Sequence, residues 1–191
     1  MSWAFFAICA LIAMVFEVGL VDTVHILHIK PSVCAILATF IALSAPRITA
    51  LWACLILGLL LDLSTDLSVG IARTLHLIGP HTLGYVFACY IVLQMRSTVF
   101  RRRALTIGAM TLLFAFSAMV ITVTLYIVRS WYPEGPLYWA ETSTFNEIMR
   151  RFFSAIYSGI MGVPIGWVLA RSLPLWQFQT NLIRGRGVAW R

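Results

Sequence analysis

Charge is scarce in this sequence. Asp, Glu, Lys and Arg make up 11% of the 191 residues, against 61% hydrophobic residues. A soluble domain carries roughly 25% charged residues. A chain this poor in charge cannot cover an ordinary core with a water-facing surface. The bilayer is the solvent that fits such a composition, and backbone immersed in hydrocarbon must be helical or a closed barrel. The alternation of barrel strands is missing as well. Long continuous apolar runs stand in its place, and they argue against a barrel.

Other absences narrow the reading. No Lys or Arg lies within Met1–Ala10, and the apolar run there exceeds the roughly 7–15 residues of a signal-peptide core. The start of the chain therefore reads as an uncleaved first span. The four cysteines, Cys9, Cys34, Cys54 and Cys89, have no CxxC spacing and sit in apolar runs. They read as small buried hydrophobes rather than ligands or disulfides. There is no HExxH, no GxSxG and no phosphate-binding glycine loop, so nothing marks an enzyme and no cofactor or metal is expected. His25-x-x-His28 has two-ligand spacing but no third ligand nearby, and interfacial histidines are the better reading.

What is present is a series of six apolar segments, about Trp3–Val21, Pro31–Ala45, Ile48–Leu63, Leu75–Met95, Ala104–Val128 and Phe152–Ala170. They predict an all-α polytopic membrane protein, a six-helix transmembrane bundle. The expected organisation is a single transmembrane domain over residues 1–172 and a basic cytoplasmic tail over 173–191. A span needs about 20 residues at 1.5 Å each, so the second segment is short. Only Pro46-Arg47 joins it to the third, which makes the two antiparallel neighbours.

Arginine and lysine set the orientation. With both termini inside, nine arginines fall on the cytoplasmic side (Arg47, Arg96, Arg101, Arg102, Arg103, Arg171, Arg184, Arg186, Arg191). Five basic residues then fall outside (Lys30, Arg73, Arg129, Arg150, Arg151). The bias favours that orientation in a plasma membrane. The formal net charge of +7 then speaks of anionic lipid at the basic loop and tail, and not of nucleic acid. The segment Arg129–Arg151, with Trp131, Tyr132, Tyr138 and Trp139, is expected along the outer interface.

Two acids stand out. Asp62 lies within the last turn of the third segment, and Glu17 near the end of the first. Even the mildest insertion scale puts an Asp at a membrane helix centre at about 2.5–3.5 kcal/mol. Each lies 14 residues along an outward-running span, counting from Trp3 and Ile48. By helix rise both sit roughly 21 Å from the inner face. With Arg73, His76 and His81 they outline an outward polar pocket, and Gly79-Pro80 interrupts the fourth span beside it. Gly58 and Asp62 share a helix face. The functional reading is a close helix approach that aims Asp62 at a cation, Arg73 or a histidine. The plainer one is an acid that ends its span and caps the turn after it.

Small residues recur at helical spacing. Ala4, Ala7, Ala10 and Ala13 make a smooth ridge on the first span. Ser154, Ser158, Gly162 and Gly166 recur every fourth residue on the last, beside a bend expected at Pro164. Such rows let backbones approach closely. Packing inside the bundle is the first reading of both, docking of a partner's membrane helix the second. The tail, with Trp176, Phe178 and Trp190 among arginines, suits an anionic leaflet or a cytoplasmic partner.

In order and motif the chain resembles the bacterial rod shape-determining protein MreD family. The likeness rests on a first span, then Lys30-Pro31-Ser32 opening a short second span, a tight turn, and a third span ending Gly58-Leu-Leu-Leu-Asp62-Leu-Ser64. Gly70 in the next loop and Gly84-Tyr85 in the fourth span complete it. The pattern covers about Met1 to Arg96 closely and the rest by topology. Thr65-Asp66, the His76–His81 stretch and the basic tail depart from it. The resemblance implies a non-enzymatic inner-membrane subunit of the cell-elongation machinery. Its expected partners are an MreC-like bitopic protein, RodA with a penicillin-binding protein, MreB filaments, and a further copy of itself. It also implies a fold like that of the substrate-binding subunits of energy-coupling factor transporters. Small-molecule uptake is therefore the alternative function.

Overall fold

The computed structural model describes residues 2–20, 30–64, 67–69, 73–75, 79–96, 104–130 and 144–176. The helices are α1 (Trp3–Val15), α2 (Val33–Ser44), α3 (Arg47–Ser64), α4 (Pro80–Met95), α5 (Ala104–Ser130) and α6 (Thr144–Arg171). A π-helical turn, Phe16–Leu20, continues α1, and a 3₁₀ turn, Leu173–Trp176, follows α6. Between α3 and α4 lies a small antiparallel hairpin, β1 (Leu67–Val69) and β2 (Arg73–Leu75), with Ser68 opposite Thr74. The polytopic helical membrane architecture holds. Among the described residues, three stretches are long and apolar enough to cross a bilayer, Arg47–Ser64, Leu105–Val128 and Ile148–Arg171, and Trp3–Gly19 and Val33–Ser44 are shorter apolar helices.

Element boundaries differ from the sequence reading at three places. The fourth helix starts at Pro80 and not at Leu75, because Leu75 belongs to β2. Gly79-Pro80 thus opens α4 instead of interrupting it. Proline suits a first helical position, where its missing N–H costs nothing. Gly79 has φ +135°, a backbone state that glycine alone adopts at little cost. The sixth helix begins at Thr144, ahead of Phe152, and is a single helix through Pro164. The third difference is at the other end of that helix. Leu173–Trp176, expected in the tail, folds back onto the bundle.

α2 is the axis. Every residue from Cys34 to Leu43 is buried. At 12 residues it is only about 18 Å long, too short for a hydrocarbon core of about 30 Å. A short helix is tolerated there because protein surrounds it, but its terminal N–H and C=O groups must then find protein partners. At its C-terminal end Arg96, which closes α4, donates from Nη1 to the carbonyls of Ala42 and Ala45. The Ala45-Pro46 link then turns the chain into α3.

The small row on α6 seats against α5. A Cβ on Gly166 would fall 2.6 Å from Ile107 Cγ2, and one on Gly162 3.0 Å from Thr111 Oγ1. At the end of the bundle where the described chain begins and stops, Trp176 is wholly buried. Its ring packs edge-on to Phe5 and tilted on Phe40, at centroid distances of 5.0 and 5.4 Å. Its carbonyl accepts from Ser2 N at 3.1 Å. Both described chain ends therefore meet at one end of the bundle. Three cysteines, Cys34, Cys54 and Cys89, are buried and all four are free thiols, as small apolar fillers should be.

Candidate functional site

The far end of the bundle is organised by two carboxylates. Gly58 and Asp62 lie on the α3 face that meets the start of α4. A Cβ on Gly58 would sit 2.7 Å from Thr82 Cα, so only glycine lets the two backbones approach this closely. The approach brings Asp62 under the first turn of α4. Asp62 Oδ1 accepts from His81 N at 2.9 Å, and Oδ2 from Gly79 N at 2.9 Å and Thr82 N at 3.0 Å. The Thr82 hydroxyl donates to Oδ2 as well, at 2.6 Å. Gly79 offers no side chain to cap its own helix, and Pro80 has no N–H. Asp62 is thus an N-cap supplied by a neighbouring helix, with the dipole of α4 favouring its charge.

That explains a carboxylate with only 1% of its surface exposed. A buried charge is tolerable when charge-assisted hydrogen bonds satisfy its lone pairs. Among the described residues, four donated hydrogen bonds at a helix start supply compensation. His81 does meet Asp62, through its backbone N–H. Arg73 lies on β2 with its side chain outside the described residues, and His76 and Asp66 lie outside them altogether, as does His25-x-x-His28.

Glu17 repeats the device on α2. It is carried by the π-helical turn after α1, and its Oε2 accepts from Val33 N at 2.7 Å and Cys34 N at 3.1 Å. Ser32 Oγ takes the next donor, Ala35 N, at 3.2 Å. Ser158 and Ser154 of α6 complete this helix start. Ser158 Oγ accepts from Ser32 N at 2.8 Å, and Ser154 Oγ donates to Lys30 O. Of the residues singled out for small-row packing, the two serines therefore tie α6 to the start of α2, and Gly162 and Gly166 fit against α5.

Between these capped helix starts lies a cavity of about 410 Å³, lined from α1 through α6. Glu17 and His81 line it, as the polar-pocket expectation has it, whereas Asp62 sits behind the wall under α4. Lys30, Tyr85 and Arg151 also line it and were not singled out. Arg151 shares a stripe with Ser154 and Ser158 at i, i+3 and i+7, a signal legible in the sequence. Its guanidinium lies 5.7 Å from the Tyr126 ring centroid. Tyr85, 4% exposed, is 3.3 Å from Ser32 Oγ through its hydroxyl. Among the described residues no group of three His, Cys, Asp or Glu side chains is arranged to hold a metal.

Fold and site together define a polytopic helical membrane protein with a cavity at one end, lined in part by polar side chains. The family model described as rod shape-determining protein MreD matches residues 1–132. The chain belongs to the MreD family, whose role is rod-shape determination. The matched stretch ends just beyond α5, so α6 lies outside it. No curated protein and no solved structure matches the chain.

Proposed function

We propose that this protein is a non-enzymatic scaffold of the bacterial cell-elongation complex, seated in the inner membrane with both termini in the cytoplasm. It binds the membrane helix of an MreC-like bitopic partner and so regulates cell shape and peptidoglycan synthesis. RodA with its penicillin-binding protein, MreB filaments and a second copy of the chain are the wider company this reading gives it. The family match over residues 1–132 carries the reading. The use of both deep carboxylates as helix caps agrees with it, since an acid that caps a buried helix start holds the fold in shape.

Affinity purification from native membranes tests the reading. An MreC-like protein should co-purify with the full chain, and its absence under mild solubilisation would sink the proposal. Alkaline phosphatase and fluorescent-protein fusions at either end test the orientation. Fluorescence without phosphatase activity at both ends is expected.

The cavity supports a second reading, the substrate-binding subunit of a small-molecule uptake transporter. Co-purification of an ATPase module in place of an MreC-like protein would favour it. Fold likeness alone does not decide, because one architecture serves many functions.

A further inference from the structure

The cavity is larger than helix capping requires. Its volume of about 410 Å³ falls within the roughly 300–1,000 Å³ of small-molecule sites. Among the described residues, the two acids near it hold helix starts. Asp62 lies under the first turn of α4, and Glu17 Oε2 is turned to the N–H groups of Val33 and Cys34. The wall still carries two cationic side chains, Lys30 and Arg151, with His81, against apolar surface from Leu61 and Met119. Lys30 stands just ahead of α2 and Arg151 on α6, so the two charges reach the cavity from different elements. A guanidinium has five N–H donors and an ammonium three. Each can serve a protein partner and a ligand at once.

We propose that this cavity binds an amphipathic anion, its phosphate or carboxylate held by Lys30 and Arg151 and its apolar part against Leu61 and Met119. Arginine and lysine together suit such a group, the first by its planar fork and the second as a point charge. The ligand has two possible sources, an acidic lipid headgroup from the adjoining leaflet or a water-soluble organic anion. The inference is independent of the scaffold reading, because partner recovery does not depend on it.

Thermal unfolding of the delipidated full chain in neutral detergent tests it, with phosphatidylglycerol, phosphatidylcholine and glycerol 3-phosphate as probes. Phosphatidylglycerol should raise Tm above the value in matched phosphatidylcholine. Its apparent affinity should fall at least about tenfold in the Lys30→Gln/Arg151→Gln double variant, as loss of charge-assisted hydrogen bonds implies. Arg171→Gln should keep the effect. Arg171 stacks on Trp167 at 4.4 Å and does not line the cavity, and it controls for diffuse attraction to anionic lipid. A matching rise with glycerol 3-phosphate identifies a soluble anion as sufficient, and a rise with the lipid alone identifies the lipid.

If neither phosphatidylglycerol nor glycerol 3-phosphate stabilises the wild type beyond phosphatidylcholine, the proposal falls, and that arm needs no variant. It falls equally if the double variant responds like wild type, or if Arg171→Gln abolishes the response. Should the double variant fail to fold, the single variants Lys30→Gln and Arg151→Gln take its place under the same criteria.

Discussion

The starts of α2 and α4 solve one problem twice, with different reserves. In both cases an acid near the end of one apolar helix puts its carboxylate on the start of the next. Glu17 serves α2 from a half-buried π-helical turn, and Ser32 shares the work. Asp62 serves α4 from 1% exposure and does so without a local helper, since Gly79 has no side chain and Pro80 no N–H. The α2 start is also gripped by Ser158 and Ser154 of α6. The lesson is that the same capping physics gives a distributed junction at one place and a concentrated one at the other. Concentrated junctions should fail harder.

Asp62→Ala should therefore have the largest effect. It strands three backbone N–H groups and the Thr82 hydroxyl in a buried site. Removing one partner of a buried charged network costs about 3–5 kcal/mol, a large part of a domain's whole stability. Membrane abundance and Tm in detergent should both drop sharply. Asp66→Asn is the control, and near-wild-type behaviour is expected of it. Equal tolerance of both variants would show that α4 starts well enough without Asp62.

Gly58→Ala comes next and probes the approach that makes the cap possible. The new Cβ would meet Thr82 Cα at 2.7 Å, and that neighbour is backbone, which cannot swing aside. Separating α3 from α4 to admit it costs about 1–3 kcal/mol by analogy with overpacked cores. The shift should also lengthen the hydrogen bonds to Asp62. Combined with Asp62→Ala, the variant should then cost less than the sum of the two, since they damage one junction. Strict additivity of the two Tm losses would break the link between the glycine and the acid.

Much of this was readable in advance. Charge scarcity and run length give a helical membrane protein, and Gly58 and Asp62 at i, i+4 give a shared face and a close approach. The acid's partner was harder to see, because backbone N–H groups have no letter in a sequence. A sequence shows only the cations, Arg73 and the histidines, and of these the described residues include His81 alone with its side chain. The same blindness hid the role of Glu17, whose donors are the amides of Val33 and Cys34. In sequence Gly79-Pro80 reads as a break in a long apolar run, whereas proline just inside a helix start and a positive-φ glycine before it together make a beginning. Arg151 reads from sequence as a loop charge, at the end of the Arg129–Arg151 connection. Its helix begins at Thr144, which places it in register with Ser154 and Ser158.

The finest test of the comparison uses amide isosteres. The bonds from Val33 N and Cys34 N to Glu17 both end on one oxygen, Oε2. A glutamine can present its single carbonyl oxygen there and keep both. Asp62 uses two oxygens, Oδ1 for His81 N and Oδ2 for Gly79 N, Thr82 N and the Thr82 hydroxyl. An asparagine must then point its NH₂ group at an N–H donor, whichever way it turns. Glu17→Gln should accordingly cost about 1 kcal/mol or less, the weakened charge–dipole term. Asp62→Asn should cost about 2 kcal/mol or more, the same loss with an unsatisfied buried donor added. Tm measured on both variants in one detergent decides the matter. A Glu17→Gln loss as large as that of Asp62→Asn would mean that charge, and not the count of acceptor oxygens, holds both helix starts.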